Sequence, residues 1–200
     1  KDAKAEVERI KQEIAQLEQQ KKQISIAVDV INNYLSYIFC ENQRLEIQVK
    51  DEQYVILSRG RNVNPRDISV GERNIIALCY FFAKMFAGME EKDRYKKEAM
   101  VVIDDPVSSF DIDNHIAIIS VLRSQFVQLL KGNTNTRVIL MSHDLQTIDD
   151  IYKVFDGINK SVSPNWKLDI LMLEQNTLKP KNNIQNEYKS LIDIVYEYAK

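Results

Sequence analysis

The sequence has few cysteines, few glycines and no apolar run of membrane-spanning length. Its two cysteines, Cys40 and Cys79, lie far apart, each in an apolar setting. They form neither a disulfide framework nor a metal-ligand spacing, so they read as buried thiols in a reducing cytoplasm. The five glycines are scattered through 200 residues. No Gly-x-x-x-x-Gly-Lys-Ser/Thr loop therefore exists to cradle a phosphate. No signal peptide is visible and no membrane partner is expected. A formal net charge of −2 supplies no global field to attract nucleic acid or a lipid surface. Internal repeats and low-complexity tracts are absent as well. The chain starts at Lys1 in place of Met, and is expected to be a fragment or a processed chain.

At 44% hydrophobic, the chain can bury a proper core and fits one domain plus an appendage. The appendage comes first. Val7, Ile10, Ile14, Leu17, Ile24, Val28, Ile31, Leu35 and Ile38 recur at alternating spacings of three and four, with Lys21 in the one missing slot. This heptad seam predicts a coiled-coil helix over residues 1–40. An amphipathic helix packed on a globular core is the competing reading. A single seam needs a partner helix, expected from sequence upstream or from another subunit.

Residues 41–180 read as the main domain. Arg44–Lys50 and Gln53–Arg59 alternate around Asp51-Glu52 as a β-hairpin. Gly60–Asp67 reads as an irregular loop, and Arg59, Arg61 and Arg66 as solvated in preference to phosphate contacts. Ser69 is placed to cap an apolar helix from Gly71 to Ala87. A polar stretch then leads to a short β-branched strand at Met100. Asp111 or Asp113 can cap the helix that follows, which ends near Gly132. Arg137–Met141 is a second apolar strand, Leu145–Phe155 a helix, and Lys167–Leu173 a further strand. Strands alternating with helices predict an α/β domain with a mainly parallel sheet. Pro180–Asn183 is a linker-like break, and residues 181–200, expected to lead to an effector region, hold a last helix over Ile184–Ala199 with Tyr188, Leu191, Ile192, Val195 and Tyr198 on one side.

The chain is organised around Met100–Asp111, Met-Val-Val-Ile-Asp-Asp-Pro-Val-Ser-Ser-Phe-Asp. Asp104 and Asp105 end the strand, where open α/β sheets bind ligands. A core strand finished by solvated acids would look the same in isolation. Its company is more specific: Ile68-Ser69-Val70-Gly71-Glu72 lies upstream, and Ser142-His143-Asp144 ends the next strand. In that order the stretches resemble the C-terminal lobe of an ABC-type ATPase head. Ile68–Glu72 is similar to the signature motif, Val101–Asp105 to Walker B, Ser108–Asp111 to the D-loop and His143 to the switch histidine. The coiled-coil lead resembles SMC-like heads, and Asp-Asp-Pro-Val-Ser-Ser-Phe-Asp resembles the ATPases of PrrC and RloC anticodon nucleases.

The resemblance implies ATP and Mg2+ as cofactors. It implies that Asp104 supports the metal through its water shell, that Asp105 orients the attacking water, and that His143 donates to the γ-phosphate. Most ABC heads carry Glu where Asp105 stands. Ser69, Val70, Gly71 and Glu72 would contact nucleotide held by an opposing head, with Val70 departing from the usual Gly-Gly. Ser109 and Asp111 would lie at the interface between heads. The implied partners are an N-terminal lobe carrying the P-loop, a second head, and a downstream effector, with DNA or tRNA as candidates. The expected activity is ATP hydrolysis that opens and closes a head dimer in bacterial anti-phage defence, with the isolated chain inactive. Alternatives are a DNA-repair or chromosome-maintenance SMC-like ATPase, and a non-catalytic coiled-coil dimerisation module.

Overall fold

The computed structural model describes residues 2–50, 53–107, 112–161, 166–181 and 187–198. They fall into two compact units, Lys1–Arg94 and Tyr95–Lys200.

The first unit is built on one long helix, α1 (Asp2–Phe39). It is followed by three antiparallel strands, β1 (Glu46–Lys50), β2 (Gln53–Ser58) and β3 (Arg61–Val63), and by helix α2 (Val70–Met85). The heptad seam of α1 divides in two. Val7, Ile10, Ile14 and Leu17 are exposed, Leu17 by 58%, whereas Ile31, Leu35 and Ile38 are buried, Leu35 completely. The last third of the helix packs on α2 and β1, and Tyr34 meets the Phe82 ring at 6.4 Å between centroids. The core-packing reading therefore holds for the C-terminal part, while the N-terminal seam stays open. Asn32 fixes the join: its amide donates to the Ile47 carbonyl at 2.9 Å and accepts from the Ile47 N–H at 2.8 Å.

The hairpin register runs from Glu46↔Leu57 to Lys50↔Gln53. The expected irregular loop after it contains strand β3, which pairs Ile56 with Val63 and Ser58 with Arg61. Arg59 and Gly60 both have positive φ, 49° and 75°, the signature of a two-residue I′ turn whose twist matches the strands. Arg-Gly is a weaker turn signal than Asn-Gly, which is why the sequence hides it. Cys40 also differs from expectation, because it is exposed. It follows the last helical residue in the left-handed region, φ 50°, so it leaves the apolar face. Cys79 on α2 is buried, and burial pushes its thiol up to about 12.

The second unit opens with strand β4 (Met100–Asp104). Helix α3 (Ile112–Gly132), strand β5 (Arg137–Met141) and helix α4 (Leu145–Ser161) follow. β4 and β5 pair in parallel, Met100 against Arg137 through Asp104 against Met141, as βαβ chirality and spacing demand. Val101 and Ile103 point into the core with Ile118, Leu122, Phe126 and Ile158. Phe126 and Phe155 stack at 5.3 Å, joining α3 to α4. Gly132 ends α3 against Tyr95, where an added Cβ would lie 2.2 Å from the Tyr95 carbonyl oxygen.

Helix α4 extends six residues past the expected Phe155, to Ser161. The strand expected at Lys167–Leu173 is displaced: β6 (Leu171–Glu174) and β7 (Thr177–Pro180) form an antiparallel hairpin instead. Gln175 and Asn176, φ 47° and 61°, make its I′ turn. Asn159 clamps the Trp166 backbone on the way, accepting from its N–H at 2.7 Å and donating to its carbonyl at 2.9 Å. Helix α5 (Glu187–Tyr198) closes the unit, with Leu191, Val195 and Tyr198 exposed. The architecture is thus α/β: among the described residues the first unit holds an antiparallel sheet, and the second a parallel pair with helices and an antiparallel hairpin.

Candidate functional site

The ends of the two parallel strands carry the site of the second unit. Asp104 is the last residue of β4 and is exposed. Asp105 donates its backbone N–H to the Met141 carbonyl at 2.9 Å, extending the ladder by one bond. Its φ of 46° then turns the chain sharply into Pro106 and the buried Val107. Asp is among the few non-glycine residues that enter this region at modest cost. The turn aims the carboxylate across to the end of β5.

There it is held from three directions. The Ser142 hydroxyl donates to Asp105 Oδ1 at 2.7 Å, and the His143 backbone N–H donates to the same oxygen at 3.3 Å. The His143 ring bonds Asp105 Oδ2 through Nδ1. An ionised carboxylate only accepts, so Nδ1 carries the proton and is the donor. The Ser142 hydroxyl is the main cause holding the Asp105 carboxyl below its ordinary range, with the His143 ring and amide adding to it against the effect of desolvation. His143 itself projects outward, its side chain 77% exposed. The result is an ionised carboxylate paired with an imidazole at the open end of a parallel sheet.

The loop bearing His143 is itself anchored. Asp144 caps α4, accepting from the Thr147 N–H at 2.8 Å and from the Thr147 hydroxyl at 2.6 Å. Thr147 is buried, and its hydroxyl is the first cause of the lowered Asp144 carboxyl pKa. The Asp144 N–H returns to the Ser142 hydroxyl at 3.2 Å. Ser142 thus links both acids. A serine at a strand end has no distinguishing spacing, and no signal in the sequence marks it.

Among the sequence-derived candidates, Asp104, Asp105 and His143 come together here. Ser109 and Asp111 lie outside the described residues. Ser69, Val70, Gly71 and Glu72 lie in the first unit, at the start of α2. Ser69 caps that helix in a capping box: its hydroxyl accepts from the Glu72 N–H at 3.1 Å, and the Glu72 carboxylate accepts from the Ser69 N–H at 3.0 Å. The Ser69 hydroxyl also donates to Glu72 at 2.9 Å. Val70 is exposed and Gly71 buried. Glu72 therefore places its own carboxylate on the positive end of α2, with Arg44 4.0 Å away.

Among the described residues no group of three or more His, Cys, Asp or Glu could hold a metal ion. Asp104 offers an exposed hard oxygen at the end of β4. Mg2+ commonly takes only one or two protein carboxylates beside waters and substrate phosphates, so a single Asp suits it where an all-protein cage would not form. Nor is any described helix long and apolar enough to cross a membrane.

A curated relative, the uncharacterized chromosomal cassette SCCmec type IVc protein CR006 of Staphylococcus aureus strain MRSA252, is 25% identical over 175 residues. The match covers 84% of this chain and 23% of the relative, and a second Staphylococcus aureus protein of the same name matches equally. The chain thus spans about a quarter of the length of these relatives. A solved structure described under the structural biochemistry of ATP-driven dimerization and DNA stimulated activation of SMC ATPases superposes with a TM-score of 0.50 at 11% identity. The match covers 90% of this chain and 94% of that one, so the two share a fold. Residues 1–200 in full match AAA_13, an AAA domain, and the chain belongs to that family.

Proposed function

We propose that the chain is the C-terminal lobe of an ATP-hydrolysing, SMC-like head that dimerises on ATP. The carrying observation is the Asp105–Ser142–His143 arrangement at the mouth of the parallel strands, beside Asp104. Asp105, ionised and aimed by its turn, is suited to orient a water for attack on a phosphoryl group. His143, exposed beside it, can donate toward the γ-phosphate; donating from Nε2 while Nδ1 stays on Asp105 requires the doubly protonated ring. Asp104 would hold Mg2+, mainly through water. When bound, that ion neutralises phosphate charge.

A P-loop lobe outside residues 1–200 would complete the site. Parallel sheets are normally covered on both faces. Here Met100, Val102, Ile139 and Met141 form an apolar face that stays exposed, Met100 by 70%. This face is where the lobe would dock. Ser69, Val70, Gly71 and Glu72 would meet the nucleotide of an opposing head, and Ser109 and Asp111 would lie between the heads. The Glu72 carboxylate would have to yield its place on the α2 terminus to a phosphate, since two anions there repel.

The head would gate an effector in bacterial defence, of the anticodon-nuclease kind, as the Asp-Asp-Pro-Val-Ser-Ser-Phe-Asp stretch suggests. Relatives encoded in a chromosomal cassette fit such a setting. A second reading, a DNA-stimulated SMC-like ATPase, is favoured by the fold likeness. Finding tRNA cleavage or DNA-stimulated turnover separates the two.

The test of the core reading uses the protein complete with its P-loop lobe. Asp104→Ala is expected to weaken Mg2+-dependent nucleotide binding. Asp105→Asn should keep ATP bound and arrest the head dimer closed, with turnover reduced by about 10²-fold or more. Light scattering with ATP reads the dimer. Equal loss of ATP binding by both variants would refute this division of roles.

A further inference from the structure

His115 lies on the second turn of α3, and its side chain is 21% exposed. It reaches across to α4, where Nε2 bonds Asp150 Oδ2 at 3.2 Å. Asp150 also accepts twice from the Gln146 amide, at 3.1 Å to each oxygen. The Gln146 N–H in turn reaches Asp144 Oδ1 at 3.4 Å. From Asp144 the bonds continue to Ser142 and so to Asp105. An unbroken series of hydrogen bonds thus runs from α3, through the first turns of α4, to the carboxylate at the strand end.

We propose that His115 is a positioning residue: through Asp150 it seats the start of α4 on α3, and thereby sets the Ser142–Asp144 loop that aims His143 at Asp105. Aromatic stacking of Phe126 on Phe155 joins the two helices farther along. Nearer the N-terminal ends, the His115–Asp150 bond gives the same two helices a polar contact. One amide nitrogen shared between both oxygens and a histidine on one of them hold the carboxylate in direction as well as distance. The 3.4 Å bond is the weakest of the series, so the effect at Asp105 is expected to be partial. Lys153 faces the same cluster, bonding Asp149 at 2.6 Å and lying 3.7 Å from Asp150. Asp150 is therefore also tied to a cation of its own helix, and among the described residues the His115 bond is the one that carries it across to α3.

This inference rests on the ATPase reading for its kinetic arm alone. The chain has two histidines, so any variant of His115 leaves one imidazole, that of His143, in a nitrogen-detected NMR spectrum. His115→Ala is expected to shift the His143 Nδ1 signal, as its bond to Asp105 loosens. His115→Gln, whose amide can still donate to Asp150, should restore the signal. Asp150→Asn should reproduce the Ala shift, and the double variant should add nothing further. In the protein with its P-loop lobe, kcat should fall by about fivefold to tenfold in His115→Ala, with KM for ATP changed by less than about twofold. An unmoved His143 signal in both His115→Ala and Asp150→Asn, with far-UV circular dichroism unchanged, overturns the proposal. So does a Gln variant that behaves like Ala. A wild-type protein that hydrolyses no ATP refutes the ATPase reading instead, and leaves the NMR result to decide this one.

Discussion

At residue scale, Asp105 combines a left-handed backbone, a serine hydroxyl and a histidine ring on one carboxylate. Its depressed pKa has a consequence for stability. A carboxyl that binds its proton more weakly when folded contributes stability above its unfolded value, about pH 3.9. That contribution disappears as pH falls through the lower folded value. Ser142→Ala removes the largest cause, so the folded pKa should rise toward the unfolded one and the acid-side loss should shrink. A carbon-detected titration of Asp105 in the wild type and in Ser142→Ala reads this directly, and an unmoved midpoint would show that Ser142 does not set it. Asp105 and His143 were singled out by their resemblance to family motifs, and the structure brings their side chains together. Ser142 was not, because its role exists only once two strands lie in parallel with Asp104 opposite Met141. The exposed Cys40 was misjudged for a similar reason: its apolar neighbours in sequence do not reveal that the chain turns left-handed there.

At the scale of elements, the strands β4 and β5 and the helices α2 and α3 were readable from periodicity, and α2 from its Ser69 cap as well. The turns were not, since Arg59-Gly60 and Gln175-Asn176 adopt I′ geometry with atypical residues. Helix α1 is the informative case. One heptad seam, interrupted at Lys21 alone, serves two surroundings, and periodicity cannot distinguish a seam facing its own core from one facing another helix. Truncating each half should separate them. Leu35→Ala removes a completely buried side chain and is expected to cost about 2–5 kcal/mol in urea unfolding of the chain. Leu17→Ala, at 58% exposure, should stay within about 0.5 kcal/mol. Similar losses at both positions would mean that the N-terminal seam is buried as well, by self-association for instance, and a concentration series would reveal that.

At the scale of the whole molecule, the proposed site has carboxylates and a histidine, but the sequence has no Gly-x-x-x-x-Gly-Lys-Ser/Thr loop. Residues 1–200 alone are expected to show no ATP turnover, because no P-loop amides exist to hold the phosphates. The exposed face of the parallel sheet makes this a test of assembly. Val102→Asp places a charge on a face that is open to water in the isolated chain, Val102 being 47% exposed. Its cost to the chain's own stability should be limited to the strand preference of Val over Asp, about 1 kcal/mol. In a complex with the P-loop lobe the same charge would be buried without a partner, a penalty of several kcal/mol. The wild-type chain mixed with a separately expressed P-loop lobe should therefore regain nucleotide binding, while Val102→Asp, equally well folded, should not. Robust hydrolysis by purified wild-type residues 1–200, with contamination excluded, would contradict the half-site reading. Reconstitution by Val102→Asp as strong as by the wild type would place the lobe elsewhere, and would leave the Met100–Met141 face needing another occupant.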